Sequence, residues 1–356
     1  MTDALHIPVV GPVPEPSHGL WALGWRRLRR DRVGMISLTV VGFYVLICIG
    51  GLLGVVGSTW RDEIAKPYAP PTLLQQYLPQ GAEVTASAVE AANANTAPTR
   101  QGLSAQDDPL AGLLAGIGDG ADQYRTEAVE LLPTLPLGAD QRGRDVLQKI
   151  LKGTSVSLFI GLFGAFCAIM IGTVLGAFAG YFGRWVDDFL MWFYSVFTSI
   201  PDMLLLLSFA AVLTRGINTV ILVFALTSWT GTFRLMRAEF MRHKTREYVM
   251  AADAIGASHL RRMFVHILPN VSHLLLVQFS LMTVGMIGSE AVLSFLGFGV
   301  GITQTSWGSV LAEVPAELLQ GYWWQMAAVT LFMSVLVTAF SMLTDSLRDA
   351  LDPKVG

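Results

Sequence analysis

The chain has 356 residues, 53% of them hydrophobic and 14% charged, with a mean hydropathy of +0.52. Average soluble domains carry about 25% charged residues, so this deficit excludes an ordinary soluble domain and points to a membrane protein. The net charge of −3 decides nothing by itself; where the charges fall does, and no nucleic-acid partner is expected.

Residues 1–34 form a tail and a basic segment. Residues 1–18 are Pro-rich and read as a disordered tail, and 20–34 as a basic helix lying at the membrane surface, with Trp21 and Trp25 four apart on one face. A bilayer core needs about 20 apolar residues per helix. Six stretches meet that need: 35–57, 155–180, 188–213, 217–236, 274–297 and 325–345. The first is about 23 residues, too long for the core of a signal peptide. Cys48 and Cys167 both lie in apolar spans, which leaves no disulfide framework and no Cys-based metal site.

Lys and Arg set the orientation. Arg26, Arg27, Arg29, Arg30 and Arg32 precede the first span, so that end is expected in the cytoplasm. The external loop of 58–137 then lies outside, and its 60–137 part holds four Lys/Arg against ten Asp/Glu. It is rich in Ala, Gly, Asn and Pro and reads as a solvated loop, or else as a small external lobe touching a binding protein. Arg142, Arg144, Lys149 and Lys152 dissent, since they sit on the expected outer side. Within 139–152, Val146 with Ile150 and Leu147 with Leu151 recur at i, i+4, the pattern of a helix at the interface.

The core, 138–345, holds the other five spans. Gly172, Gly176 and Gly180 are four apart in the second span, a small-residue stripe that permits close helix packing. Asp187 and Asp188 open the third, where carboxylates suit a helix's positive end. Two carboxylates fall inside apolar spans: Asp202, after Ser199-Ile200-Pro201 near the middle of the third, and Glu290 in the outer part of the fifth. Such charges usually face an interior or a cavity. Each is therefore either a lining group of a translocation path or a structural carboxylate bonded to hydroxyls or backbone. The segment 234–262 carries seven Lys/Arg and falls inside, as does the tail 346–356.

No G-x-x-x-x-G-K-[ST] occurs, and the dipeptide Gly-Lys is absent, so the chain lacks the loop that cradles nucleotide phosphates. No covalent chemistry and no cofactor is expected in this chain. His259, His266 and His273 are seven apart, about 10 Å on a continuous helix, too far to share a metal ion.

Residues 245–270 read TREYVMAADAIGASHLRRMFVHILPN. Glu247 to Ile255 holds good helix formers with small Ala251, Ala252 and Ala254. Gly256 supplies a left-handed stop, a basic second helix is expected over about 258–267, and Pro269 redirects the chain into the fifth span. This segment resembles the cytoplasmic coupling loop of permease subunits in bacterial binding-protein-dependent ABC importers. The family pattern is Glu-Ala-Ala, three residues, Gly, nine residues, Ile-x-Leu-Pro. Ala251, Ala252, Gly256, Leu268 and Pro269 fall at those offsets; Met250 stands in place of the Glu and His266 in place of the Ile. LGADQRGRDVLQKILKGTSVSLFIG, AGYFGRWVDD, SIP, EAVLSFLGFG, SWGSVL and LRDALDP are similar to segments of the peptide/nickel branch, and the likeness covers 137–356 and the basic first span.

The resemblance implies an all-α membrane protein with six transmembrane helices in the type I importer fold. It implies a homologous permease partner, two cytoplasmic ATPase subunits that carry the ATP and Mg, and an external substrate-binding protein, in the bacterial inner membrane. The residues it assigns to coupling are Glu247, Met250, Ala251, Ala252, Asp253, Gly256, Arg261, Leu268 and Pro269, with the Ala251–Ala252 pair fitting a partner's groove. Asp202 and Glu290 are candidates for the path as carboxylates within apolar spans, not through the resemblance. Glu290 has a family counterpart in EAVLSFLGFG, which favours a structural role, and Asp202 stands where the family has an apolar residue. The cargo that the resemblance implies is a dipeptide or oligopeptide, or alternatively nickel or a metal chelate. A self-contained secondary transporter would need coupling-ion sites and usually an inverted repeat, and neither is seen. A non-transporting anchor would have no use for the coupling segment.

Overall fold

The computed structural model describes residues 20–74, 131–301 and 303–351. The expectations for residues 1–18, for 75–130 of the long loop and for the last five residues of the tail lie outside the described residues.

In a bilayer every backbone polar group must be satisfied within the protein, which selects helices. In chain order these are α1 (Leu20–Arg30), α2 (Arg32–Leu52), α3 (Val146–Phe182), α4 (Arg184–Thr198), α5 (Asp202–Val212), α6 (Ile217–Thr227) and α7 (Trp229–His243). Then follow α8 (Glu247–Ala254), α9 (His259–Arg261), a π-turn (Arg262–Ile267), α10 (Leu268–Phe295), α11 (Trp307–Leu319) and α12 (Trp324–Leu351). Among the described residues, five runs are long and apolar enough to cross a membrane: Arg32–Leu52, Val146–Phe182, Ile217–His243, His259–Phe295 and Trp324–Leu351. The pair α4 and α5, bent by 83°, makes the sixth if it is one span.

Three expectations need correction. The third span is not continuous, so Asp202 is not mid-helix. Pro201 has no N–H to continue the ladder and keeps Ile200 out of helical geometry, so α5 starts afresh, its Leu205 N–H bonding Pro201 O at 3.0 Å. The 139–152 stretch is not an interfacial helix, because 146–152 forms the first turns of the 37-residue α3, with Val146 and Ile150 fully buried. Pro269 does not turn the chain away. The Leu268 N–H reaches back five residues to Met263 O, and this widened π-turn takes Pro269 into α10 without a break.

One compact unit comprises described residues up to 58, then 148–316 and 329–351. One close seam in it is the glycine stripe. A Cβ at Gly172 would lie 2.6 Å from Trp229 O, and one at Gly176 would lie 2.6 Å from Phe233 O and 2.9 Å from Met236 Cβ. Gly180 likewise meets Arg237 O and Phe240. The backbones of α3 and α7 therefore touch along three turns. Arg237 of α7 also grips Asp187 of α4 through two bonds of 2.5 and 2.7 Å. At the start of α2, Asp31 caps the Val33 and Gly34 amides at 3.0 Å each and accepts from Ser346 Oγ at 2.5 Å. The Ser346 hydroxyl, with those amides, holds the Asp31 carboxyl below its ordinary pKa.

The second unit comprises the described parts of 59–147 together with 317–328. Ala65, Ala69, Leu135 and Ala139 form a small core tied by isolated β-bridges. Tyr68 stacks on Tyr322 at 4.0 Å, and Trp324 Nε1 donates to Ala139 O at 2.9 Å. The dissenting cations are mostly engaged: Arg144 pairs with Asp140 at 2.6 Å, Lys149 pairs with Glu313, and Lys152 donates to Gly51 O at 2.8 Å.

If the stripe fixes α3 against α7, Gly176→Leu is expected to destabilise the purified protein by about 1–3 kcal/mol or to block its assembly. Gly285, whose Cβ position is open, serves as the control. Thermal melts in detergent check this; equal melting of Gly176→Leu and wild type would refute the packing.

Candidate coupling site

The loop between the Ile217–His243 and His259–Phe295 runs is built around α8. Its Val249 and Ala252 are 3% and 4% exposed, one helical turn apart on the inward face. The opposite face carries Glu247, Met250, Ala251 and Ala254, all exposed. This corrects the Ala251–Ala252 expectation. Successive residues on a helix point about 100° apart, so only Ala251 is offered to a partner while Ala252 packs inside.

The stop at Gly256 has the expected conformation, with φ at +82°. Gly256 N–H bonds Asp253 O at 2.9 Å and Ala257 N–H bonds Ala252 O at 3.0 Å, the two bonds of a Schellman motif. Ser258 then caps the next turn, accepting from Arg261 N at 3.4 Å.

Arg262 closes the loop. Its guanidinium pairs with Asp253 at 2.6 Å, donates to His259 Nδ1 at 2.8 Å, and lies 5.9 Å from the centre of the Tyr181 ring. Arginine only donates, so His259 Nδ1 is the acceptor of this bond. Tyr181 OH is 3.2 Å from the same nitrogen. These groups border a cleft of about 410 Å³ that Lys244 and Thr245 also line. Beneath the loop, Val249, Met263, Ile267 and Val271 share one apolar cluster with Ala177 of α3 and Met236 and Phe240 of α7. The loop is thus bolted to the ends of three membrane runs.

The structure brings most of the sequence-assigned residues together here. Asp253 is paired, Arg261 is exposed, Leu268 is half-buried and Pro269 is exposed at the second position of α10. Sequence reasoning missed the roles of Arg262 and Tyr181. The Asp253–Arg262 pair is nine residues apart across a turn, and Tyr181 is far away in the chain, so no local periodicity marks either.

The two path candidates stand apart from this site and differ from each other. Asp202 is exposed in the first turn of α5, where its charge suits the helix's positive end. Glu290 is fully buried in α10 and accepts from Ser157 Oγ at 2.8 Å and Ser294 Oγ at 2.6 Å. Ser157 Oγ in turn accepts the Trp307 N–H at 3.0 Å, and Ser306 Oγ donates to Ser294 Oγ at 3.3 Å. That arrangement has the form of a structural carboxylate, with its neighbours supplying the hydrogen bonds that burial demands.

Residues 172–356 match the family described as the binding-protein-dependent transport system inner membrane component, and 19–77 match the N-terminal TM domain of oligopeptide transport permease C. The chain belongs to this family of membrane transport components. The dipeptide transport system permease protein DppC of Bacillus subtilis (strain 168) is 34% identical over 61% of this chain and 68% of its own length. A glutathione transport system permease protein, GsiD of Pectobacterium atrosepticum, is 37% identical over 62% of this chain and 72% of its own. DppC of Lactococcus lactis subsp. cremoris is 26% identical over 97% and 93%. Among solved structures, the inward-facing MetNI methionine ABC transporter matches with a TM-score of 0.46 and 17% identity, covering 58% of this chain and 98% of that one.

Glu290→Leu would strand the Ser157 and Ser294 hydroxyls. A loss of about 1–3 kcal/mol is expected, with Glu290→Gln close to wild type in both melting and uptake. A Glu290→Gln protein that melts normally but loses uptake would move Glu290 from scaffold to path.

Proposed function

We propose that the chain is the permease subunit of an ATP-driven importer that passes dipeptides or oligopeptides into the cytoplasm. It pairs with a homologous permease to form the path. Two separate ATPase subunits carry ATP and Mg, and an external binding protein delivers the cargo. No residue of this chain hydrolyses ATP. The observation that supports the reading best is the anchoring of the 247–268 loop: its inward face shares an apolar cluster with α3, α7 and α10, while its outward face is open. A displacement of the loop is therefore a displacement of the membrane runs. The relatives named for peptide transport support the cargo class.

In this proposal the membrane is the bacterial inner membrane, both chain termini are cytoplasmic, and so is the 247–268 loop. Single cysteines at Thr72 and Ser258, with Cys48 and Cys167 replaced by Ala, test the arrangement. An impermeant thiol reagent added outside is expected to label position 72 and not 258. The opposite pattern would invert the topology.

Coupling is tested at Gly256. A Cβ there meets nothing within 4 Å, so the only penalty is the positive φ. Gly256→Val is expected to strain the stop by about 1–3 kcal/mol, while Gly256→Asn, which tolerates this region, is milder. Membrane insertion should be normal for both. Substrate-stimulated ATP turnover in reconstituted vesicles should fall steeply for Val only. Normal turnover in Gly256→Val would contradict the coupling role.

A further inference from the structure

A groove of about 710 Å³ opens between α4 and α7. Gly231, Arg234, Leu235 and Ala238 line it from one face of α7, at i, i+3, i+4 and i+7, and Met191 and Tyr194 line it from α4. Arg237 borders it too, but its guanidinium is taken by Asp187. Arg234 is exposed, and its guanidinium makes no ion pair or hydrogen bond with any described residue. The same holds for the hydroxyl of Tyr194, whose ring stacks on Phe233 at 5.5 Å, and for the side-chain amide of Gln278 in α10. Within 4 Å a Cβ on Gly231 would meet only that amide nitrogen, at 3.9 Å, so Gln278 stands at the edge of the groove. Arg234 and Gln278 both lie within membrane-crossing runs, where a polar side chain without a partner needs a reason.

Depth argues against a lipid headgroup as that reason. The Ile217–His243 run is about 40 Å long against a hydrocarbon core of about 30 Å, so about 5 Å at each end reaches the headgroups. Arg234 lies about 13 Å from the end at His243, inside the core. A cation at that depth faces an interior or a water-filled cavity rather than lipid tails. We infer that Arg234, flanked by Tyr194 and Gln278, is a station on the transport path that takes the terminal carboxylate of the peptide cargo. This rests on the importer reading above and adds a specificity-determining residue to it. A guanidinium offers two parallel N–H donors to one carboxylate. The phenol hydroxyl and the carboxamide are further donors, neutral ones, on α4 and α10. Met191 and Leu235 give the groove apolar walls, and an unbranched methionine adapts to side chains of differing size. The carboxylate that comes nearest from within the chain, Asp187, is already bound to Arg237 and leaves Arg234 to the cargo.

The test uses the whole importer with its partner subunits, reconstituted in phosphatidylethanolamine–phosphatidylglycerol vesicles. Uptake of trialanine and of its C-terminal amide is measured for wild type, Arg234→Gln, Arg234→Lys and Tyr194→Phe. Any preference of the external binding protein is the same for every variant, so it cancels when the acid-to-amide ratio is compared with wild type. Arg234→Gln is expected to lose at least about tenfold of the acid uptake while amide uptake stays near wild type. Arg234→Lys should fall between the two, because lysine keeps the charge and gives up the planar fork. Tyr194→Phe keeps the ring on Phe233 and loses one donor, so its loss is smaller and again confined to the acid. Equal loss of acid and amide in Arg234→Gln would assign the guanidinium to a lipid phosphate or to structure and overturn the inference. Full acid uptake in Arg234→Gln would overturn it too. If Arg234→Gln does not assemble, Tyr194→Phe decides, and an unchanged acid-to-amide ratio there counts against the station. All three results leave the importer reading standing. A wild-type importer that takes up neither peptide overturns the peptide cargo as well.

Discussion

The close approach of α3 and α7 sets the frame on which the functional loop hangs. Gly172, Gly176 and Gly180 leave no room for a side chain, so Trp229, Phe233 and Arg237 bring their carbonyls against the α3 backbone. Without a strong hydrophobic force between helices inside a bilayer, such packing is what small residues are good for. The stripe runs to the end of α3. There Tyr181 and Ala177 meet the loop that leaves α7, through the Arg262 contacts and the shared apolar cluster.

That geometry makes the loop a lever. Its inner side is a packed core, and packed cores transmit displacement because they are not easily compressed. Its outer side carries Glu247, Met250, Ala251 and Ala254, all exposed. Arg262 joins the end of α8 to the turn that starts the long α10 run, so the two short helices move together. The π-turn from Arg262 to Ile267 then passes the chain through Pro269 into the membrane without a hinge. Turns of this type are frequent at functional sites. Glu290, held by serines from α3 and α10, belongs to the scaffold in this arrangement.

Much of this was legible in the sequence, for identifiable reasons. Spans follow from composition because a bilayer demands a fixed length of apolar chain. The Gly256 stop was legible because only glycine takes that backbone region at no cost, and the glycine stripe because its spacing matches a helical turn. What was not legible depends on direction and on distance along the chain. The apolar run 188–213 reads as one span by composition, which shows neither the break at Pro201 nor its 83° bend. Two adjacent alanines look alike in sequence, yet a helix sends Ala251 out and Ala252 in. Pro269 signals an interruption, and only the register of the preceding turn shows that a π-turn absorbs it. The Tyr181–Arg262 contact joins residues that no local pattern connects.

The central claim is that 247–268 is where the ATPases grip this chain. Hydrogen exchange of the α8 amides, measured in the nanodisc-embedded importer before and after its ATPases are stripped away, tests it most directly. The account expects the amides from Met250 to Ala257 to exchange at least about tenfold more slowly with the ATPases bound, with the interior of α3 unchanged. Equal exchange in the two states, with the ATPases verified as bound in the first, would contradict it.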